Sequence, residues 1–169
     1  VHQNDEFFGE ILKDTSNAVK LLLVYFAERD DMVETRIEQD KEQFTKNSGS
    51  KKLDFRVASE QTFEDDCAWA DSIYLHGGKT VKLMEVLKKF PNLKQMLSGR
   101  TIAGDSAGAN VLAKYFYSKN SEVIGEGLGI LPFKIVVHYL EGNPNPLTDI
   151  QPELETLFLH EYETKVLYL

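Results

Sequence analysis

Apolar and polar positions fall in blocks along this chain, continuous apolar runs giving way to stretches with helical spacing. Phe7, Phe8, Ile11 and Leu12 share one face behind Asn4, which predicts a short capped helix over residues 4–12. Residues 20–27 (KLLLVYFA) form an unbroken apolar run framed by charge, the pattern of a strand buried on both faces. Residues 31–46 predict a helix with Met32, Val33, Ile37 and Phe44 inward, stopped by the turn at 47–52 (NSGSKK). Residues 53–58 alternate as a strand, 62–70 read as a short helix, and 72–75 as a buried strand that ends at Gly77-Gly78. A helix over 80–90, a strand at 101–103 and a helix over 107–117 follow. The tail offers a strand at 134–137, a proline-rich loop at 142–152 and a last strand at 165–169.

Strands that alternate with helices at these lengths predict an α/β three-layer sandwich with a mostly parallel sheet. Right-handed crossovers and short connections favour a flavodoxin-like topology, in which chemistry gathers at the carboxyl ends of the strands. The length of 169 residues suits one domain with its own core. The charge of −8 leaves no cationic stripe for nucleic acid. No apolar run approaches the roughly 20 residues that cross a bilayer. The single Cys67 excludes an internal disulfide and fits a reducing, cytoplasmic setting. The four histidines are scattered, and neither a metal nor another cofactor is expected.

The strongest chemical signal is Gly104-Asp105-Ser106-Ala107-Gly108, directly after one predicted strand and directly before a helix. This is the G-x-S-x-G nucleophile elbow in its required setting, with Ser106 raised on a sharp turn. A second glycine loop, His76-Gly77-Gly78-Lys79-Thr80, lies between another strand and helix, where bare N–H groups can face an oxyanion. An activated serine needs a base. His138 follows the apolar run 133–137 and so emerges at a strand tip, where a base belongs. His2, near the start of the chain, His76, in the glycine loop, and His160, in a polar stretch, are weaker candidates. Between Ser106 and His138 stand two acids only, Glu122 and Glu126. Asp105, Asp149, Glu161 and Glu163 read as solvated charges, so the third member of a triad stays open.

Read together, the Gly-Gly-x-Thr loop, the Ser-Ala-Gly-Ala elbow about 30 residues later and Gly127-Leu128-Gly129-Ile130-Leu131-Pro132 leading to His138-Tyr139 resemble peptidase family S51. That family holds dipeptidase E and cyanophycinase, in a fold related to class I glutamine amidotransferases. The resemblance implies Ser106 as nucleophile and His138 as base, with an oxyanion hole from the Ala107 N–H and the Gly77-Gly78 loop. It implies hydrolysis of short peptides with an acidic residue beside the scissile bond, by a monomer or homodimer. Family members read Gly-Gly-Gly-Asn-Thr where this chain has His76 to Thr80, which leaves Lys79 as a substrate-anion partner. The family's triad aspartate falls near Asn120-Ser121, so Glu126, or else Glu122, is the substitute acid. The family also begins with a strand that is expected before Val1.

Two rival readings remain. Without its acid, the chain is a catalytically impaired S51-like binding domain. An α/β-hydrolase esterase shares the His-Gly-Gly and elbow motifs, but it separates them further and runs to about twice this length.

Overall fold

The computed structural model describes residues 4–119 and 121–168. The long apolar run becomes β1 (Ala18–Val24), and Leu21, Leu22, Leu23 and Val24 are all fully buried. Side chains alternate across a strand, so four successive buried apolar positions demand cover on both faces. Leu21 and Leu23 point into one core, with Phe8 and Leu12 of α1 (Asp5–Lys13) and Phe44 of α2 (Val33–Lys46). Leu22 and Val24 point into the other. There they meet α3 (Phe63–Trp69), α4 (Thr80–Leu87), α5 (Leu93–Leu97) and α6 (Ala107–Leu112). Between the helical layers β1 pairs in parallel with β2 (Lys52–Val57) and β3 (Ser72–Leu75), and β3 pairs with β4 (Thr101–Gly104), giving the order β2-β1-β3-β4. This is the α/β sandwich that the pattern predicts.

The remainder folds differently from expectation. The helix expected over 107–117 stops at Leu112, and Ala113 is already extended at φ −71°, ψ 167°. Tyr115-Phe116-Tyr117 then enters β5 (Tyr115–Ser118), as aromatic residues favour a pleated, half-buried surface. β5 pairs antiparallel with β6 (Val123–Glu126) and parallel with β7 (Lys134–Val136), which pairs with β8 (Thr156–Phe158). These strands make a second sheet, ordered β6-β5-β7-β8. Phe116, Ile135 and Val137 pack there against Ala109 of α6 and Ala113. The last strand therefore lies at 156–158; residues 163–168 carry no strand, and Leu169 falls outside the described residues.

Lys134 fixes the proline-rich loop. Its side chain is buried, and Nζ donates to the carbonyl oxygens of Leu147 (3.1 Å), Ile150 (2.8 Å) and Gln151 (3.2 Å). Three carbonyls supply what water otherwise gives a buried ammonium. Among the described residues no helix is long and apolar enough to cross a membrane.

Candidate active site

The elbow is shaped by two glycines. A Cβ on Gly104 would run into the backbone of Gly108, and one on Gly108 into the carbonyl oxygen of Leu75 in β3. Only bare backbone lets α6 start this close to β3 and β4. Between them Ser106 takes φ 49° and ψ −101°, a conformation that side-chain-bearing residues avoid. The strained turn lifts the hydroxyl off the carboxyl end of β4.

His138 leaves the end of β7, also at positive φ (53°), and so approaches Ser106 from the second sheet. Ser106 Oγ and His138 Nε2 lie 3.0 Å apart in a hydrogen bond. On the other side of the ring, His138 Nδ1 meets Glu161 Oε2 at 2.5 Å. Glu161 follows β8, whose exit is tied to β7 by Leu159 N–H donating to Val136 O (3.0 Å) and Tyr139 N–H to Leu159 O (2.9 Å). The contact is open to solvent, the two side chains being 38% and 57% exposed.

The carboxylate at His138 is thus not the one expected. Glu126 lies exposed on β6, opposite Tyr115, and Glu122 sits in the turn before it. β6 is the outer strand, separated from β7 by the whole width of β5, or about 10 Å at ordinary strand spacing. Neither acid is placed to orient the imidazole.

Gly77 brings the other loop against the elbow, the position of a Cβ there lying 3.4 Å from Ser106 Cβ and 3.2 Å from Asp105 Oδ2. Gly78 takes φ 135°, and a Cβ on it would run into the Ala27 carbonyl. Ala107 opens α6, so its N–H is one of those a helix leaves unpaired at its start. Lys79 is exposed at the head of α4, with its own N–H on Ala27 O (2.8 Å), and it does not line the cleft around Ser106.

Behind this loop lies a buried polar cluster that sequence reasoning missed. His76 Nδ1 lies 2.8 Å from Asp40 Oδ2 and 3.2 Å from the Tyr74 hydroxyl, while the Tyr25 hydroxyl donates to Asp40 at 2.9 Å. His76 Nε2 is 3.5 Å from Glu28 Oε2, which also accepts from Arg36 Nε at 3.2 Å. Burial alone would lower the His76 pKa, but the hydrogen bond and charge of Asp40, then Asp105 and Glu28, outweigh it and hold the ring above its ordinary value. An acid on the inward face of the predicted 31–46 helix was the one available signal, since a buried carboxylate requires a partner.

One cleft of about 780 Å³ joins these parts, running from Glu161, His138 and Ser106 past Gly77 to His76, Asp40 and Arg36. His160 stands on its rim, and His2 falls outside the described residues. Cys67 is buried in α3, where loss of hydration pushes its thiol up to about 12, far from thiolate chemistry at neutral pH. Among the described residues no group of three His, Cys, Asp or Glu side chains is placed to hold a metal ion.

Residues 2–168 match the model of peptidase family S51. The chain belongs to peptidase family S51. No curated protein matches it. Two solved structures share the S51 chain's fold. One is a protein assigned as peptidase E from Listeria monocytogenes EGD-e, with a TM-score of 0.62 at 17% identity over 93% of this chain and 85% of that one. The other is a peptidase from an acI-B1 Actinobacterium, with a TM-score of 0.61 at 23% identity over 93% of this chain and 74% of that one. Membership in the S51 family supports a peptidase.

Proposed function

We propose that this S51 peptidase is a serine hydrolase of short peptides, with Ser106 as nucleophile, His138 as base and Glu161 as the acid that orients the base. The observation that carries this reading is the continuous chain of hydrogen bonds Ser106–His138–Glu161, begun by a serine at φ 49°. The Glu161 carboxylate on Nδ1 fixes the tautomer that leaves Nε2 free to accept a proton.

As Ser106 Oγ bonds to the scissile carbonyl carbon, its proton passes to His138 Nε2. The carbonyl π electrons move to oxygen, and the anion faces the Ala107 N–H and the Gly77-Gly78 backbone. Collapse breaks the C–N bond, His138 returns the proton to the leaving amine, and an ester remains on Ser106. Water then attacks that ester with His138 again as base, releasing the acid and restoring the hydroxyl. His138 Nε2 must carry no proton of its own to begin the reaction.

A fluorophosphonate probe tests the assignment. Wild-type protein is expected to label at Ser106. Labelling disappears in Ser106→Ala, falls by about 10³-fold or more in His138→Ala, and falls by a smaller factor in Glu161→Gln. An unlabelled but folded wild type would overturn the hydrolase reading in favour of an S51-like binding domain. Unchanged labelling in Glu161→Gln, with loss in Glu126→Gln, would return the third role to Glu126.

A further inference from the structure

Two backbone N–H groups of the glycine loop, those of Gly77 and Gly78, have no acceptor among the described residues, while both of their neighbours are bonded. His76 N–H donates to Val24 O at 3.0 Å, and Lys79 N–H donates to Ala27 O at 2.8 Å. The free pair is thus strung between two ties, one to the end of β1 and one to the turn that follows it. Gly78 also rests directly on the Ala27 carbonyl. A shift of that turn passes straight to the loop beside Ser106.

The His76 side chain adds a tie of another kind. Its ring is buried and reaches two other elements, with Nδ1 2.8 Å from Asp40 Oδ2 on α2 and Nε2 3.5 Å from Glu28 Oε2 on the turn. Tyr25, just after β1, tilts over the ring at 5.0 Å between centroids, and Tyr74 of β3 meets it edge-on at 5.9 Å. Burial holds both tyrosine hydroxyls far above their usual range, so they stay neutral. Asp105 adds negative charge from the elbow, and Arg36 of α2 pairs with Glu28. A neutral ring serves one carboxylate only. With its N–H on Asp40, a bare Nε2 sets its lone pair against Glu28, whereas the cation donates to both. Burial works against the cation, but the hydrogen bond and charge of Asp40, then Asp105 and Glu28, hold the ring's pKa above the ordinary 6.5.

We propose that His76 is a positioning residue, whose doubly protonated ring clamps the Gly77-Gly78 loop to α2 and to the turn after β1, and that the loop slackens when the proton leaves. This rests on the reading of that loop as an oxyanion hole. Ser106 and His138 stay in place through the change, so what declines is stabilisation of the developing oxyanion.

Two measurements over one pH range test the clamp in wild type, His76→Gln and Glu28→Gln, with the His76 ring titration followed by NMR. The first is protection of the Lys79 N–H from hydrogen exchange, corrected for the intrinsic effect of pH. The second is the rate of fluorophosphonate labelling. Lys79 protection is expected to fall by about tenfold as the ring loses its proton. Below the ring's midpoint wild type labels about tenfold faster than His76→Gln, and above it the ratio falls towards one. Comparing the two proteins cancels whatever else titrates. Glu28→Gln, at a part-exposed position, moves the wild-type transition to lower pH and carries the test if His76→Gln does not fold.

Protection that ignores the ring, a rate ratio constant with pH, or a Glu28→Gln transition that stays where wild type has it overturns the proposal. The two readings fail separately. Labelling that is indifferent to the ring removes the clamp alone, and Lys79 protection that follows the ring in a protein that never labels removes the hydrolase alone.

Discussion

A methyl group at Gly108 would claim the space of the Leu75 carbonyl oxygen, and backbone cannot step aside as a flexible side chain can. Gly108→Ala is expected to cost about 1–3 kcal/mol or more, read as a lower urea midpoint at unchanged slope. Gly9 makes the opposite case. It sits inside α1 with open space where a Cβ would go, so Gly9→Ala is expected to gain about 0.5–1 kcal/mol in the same assay. Cys67, with its thiol held near 12, is expected to resist a thiol-specific disulfide reagent at pH 8 until denaturant unfolds the chain. Fast reaction in the folded state would contradict its burial. The elbow was readable from sequence because its glycines are required by backbone contacts that any elbow must make. Glu161 was not readable: an acid in a polar tail looks like a solvated charge, and only folding brings it to an imidazole 23 residues earlier.

Elements were legible where one face, or both, had to be buried. β1 and β3 declare themselves by unbroken apolar runs, and α2 by its spacing. The failure at α6 has a local cause. No glycine or proline separates Leu112 from Tyr115, so helical spacing continues in the letters while the aromatic triplet is already pleated. Weighing β propensity over residues 115–117 was the available correction. Lys134 shows how much one side chain can hold at this scale. Lys134→Met keeps the length of the stem but leaves the carbonyls of Leu147, Ile150 and Gln151 without their donor. The loop over 142–152 is expected to loosen, with amide hydrogen exchange there faster by about tenfold or more, from a loss of about 1–3 kcal/mol. Unchanged exchange in that loop would show that the proline-rich segment holds itself.

For the molecule as a whole, acidity sets the working window. His76 is held above its ordinary 6.5, so its contribution to stability is complete below that value and is lost as pH rises through the folded-state value. Glu28 behaves conversely. Burial pushes it up, but the Arg29 N–H, Arg36 and His76 prevail and lower it, so its contribution stands above about 4.5 and fades on acidification. Thermal stability is therefore expected to peak on the acid side of neutrality. In His76→Gln the loss between pH 6.5 and 8 should flatten, and a slope identical to wild type would contradict the ion pair with Asp40.

Among the described residues the two sheets share no strand pairing, β4 ending one ladder and β8 the other. Yet the hydroxyl rises from the first and the imidazole from the second. The 3.0 Å contact between them is thus a gauge of how the halves are aligned. A slip of about 1 Å, easily absorbed by a core, can cost a reaction on the order of 10²-fold. Under the proposed Ser106–His138 chemistry, catalytic rate becomes a ruler of the architecture, registering displacements too small to change its stability.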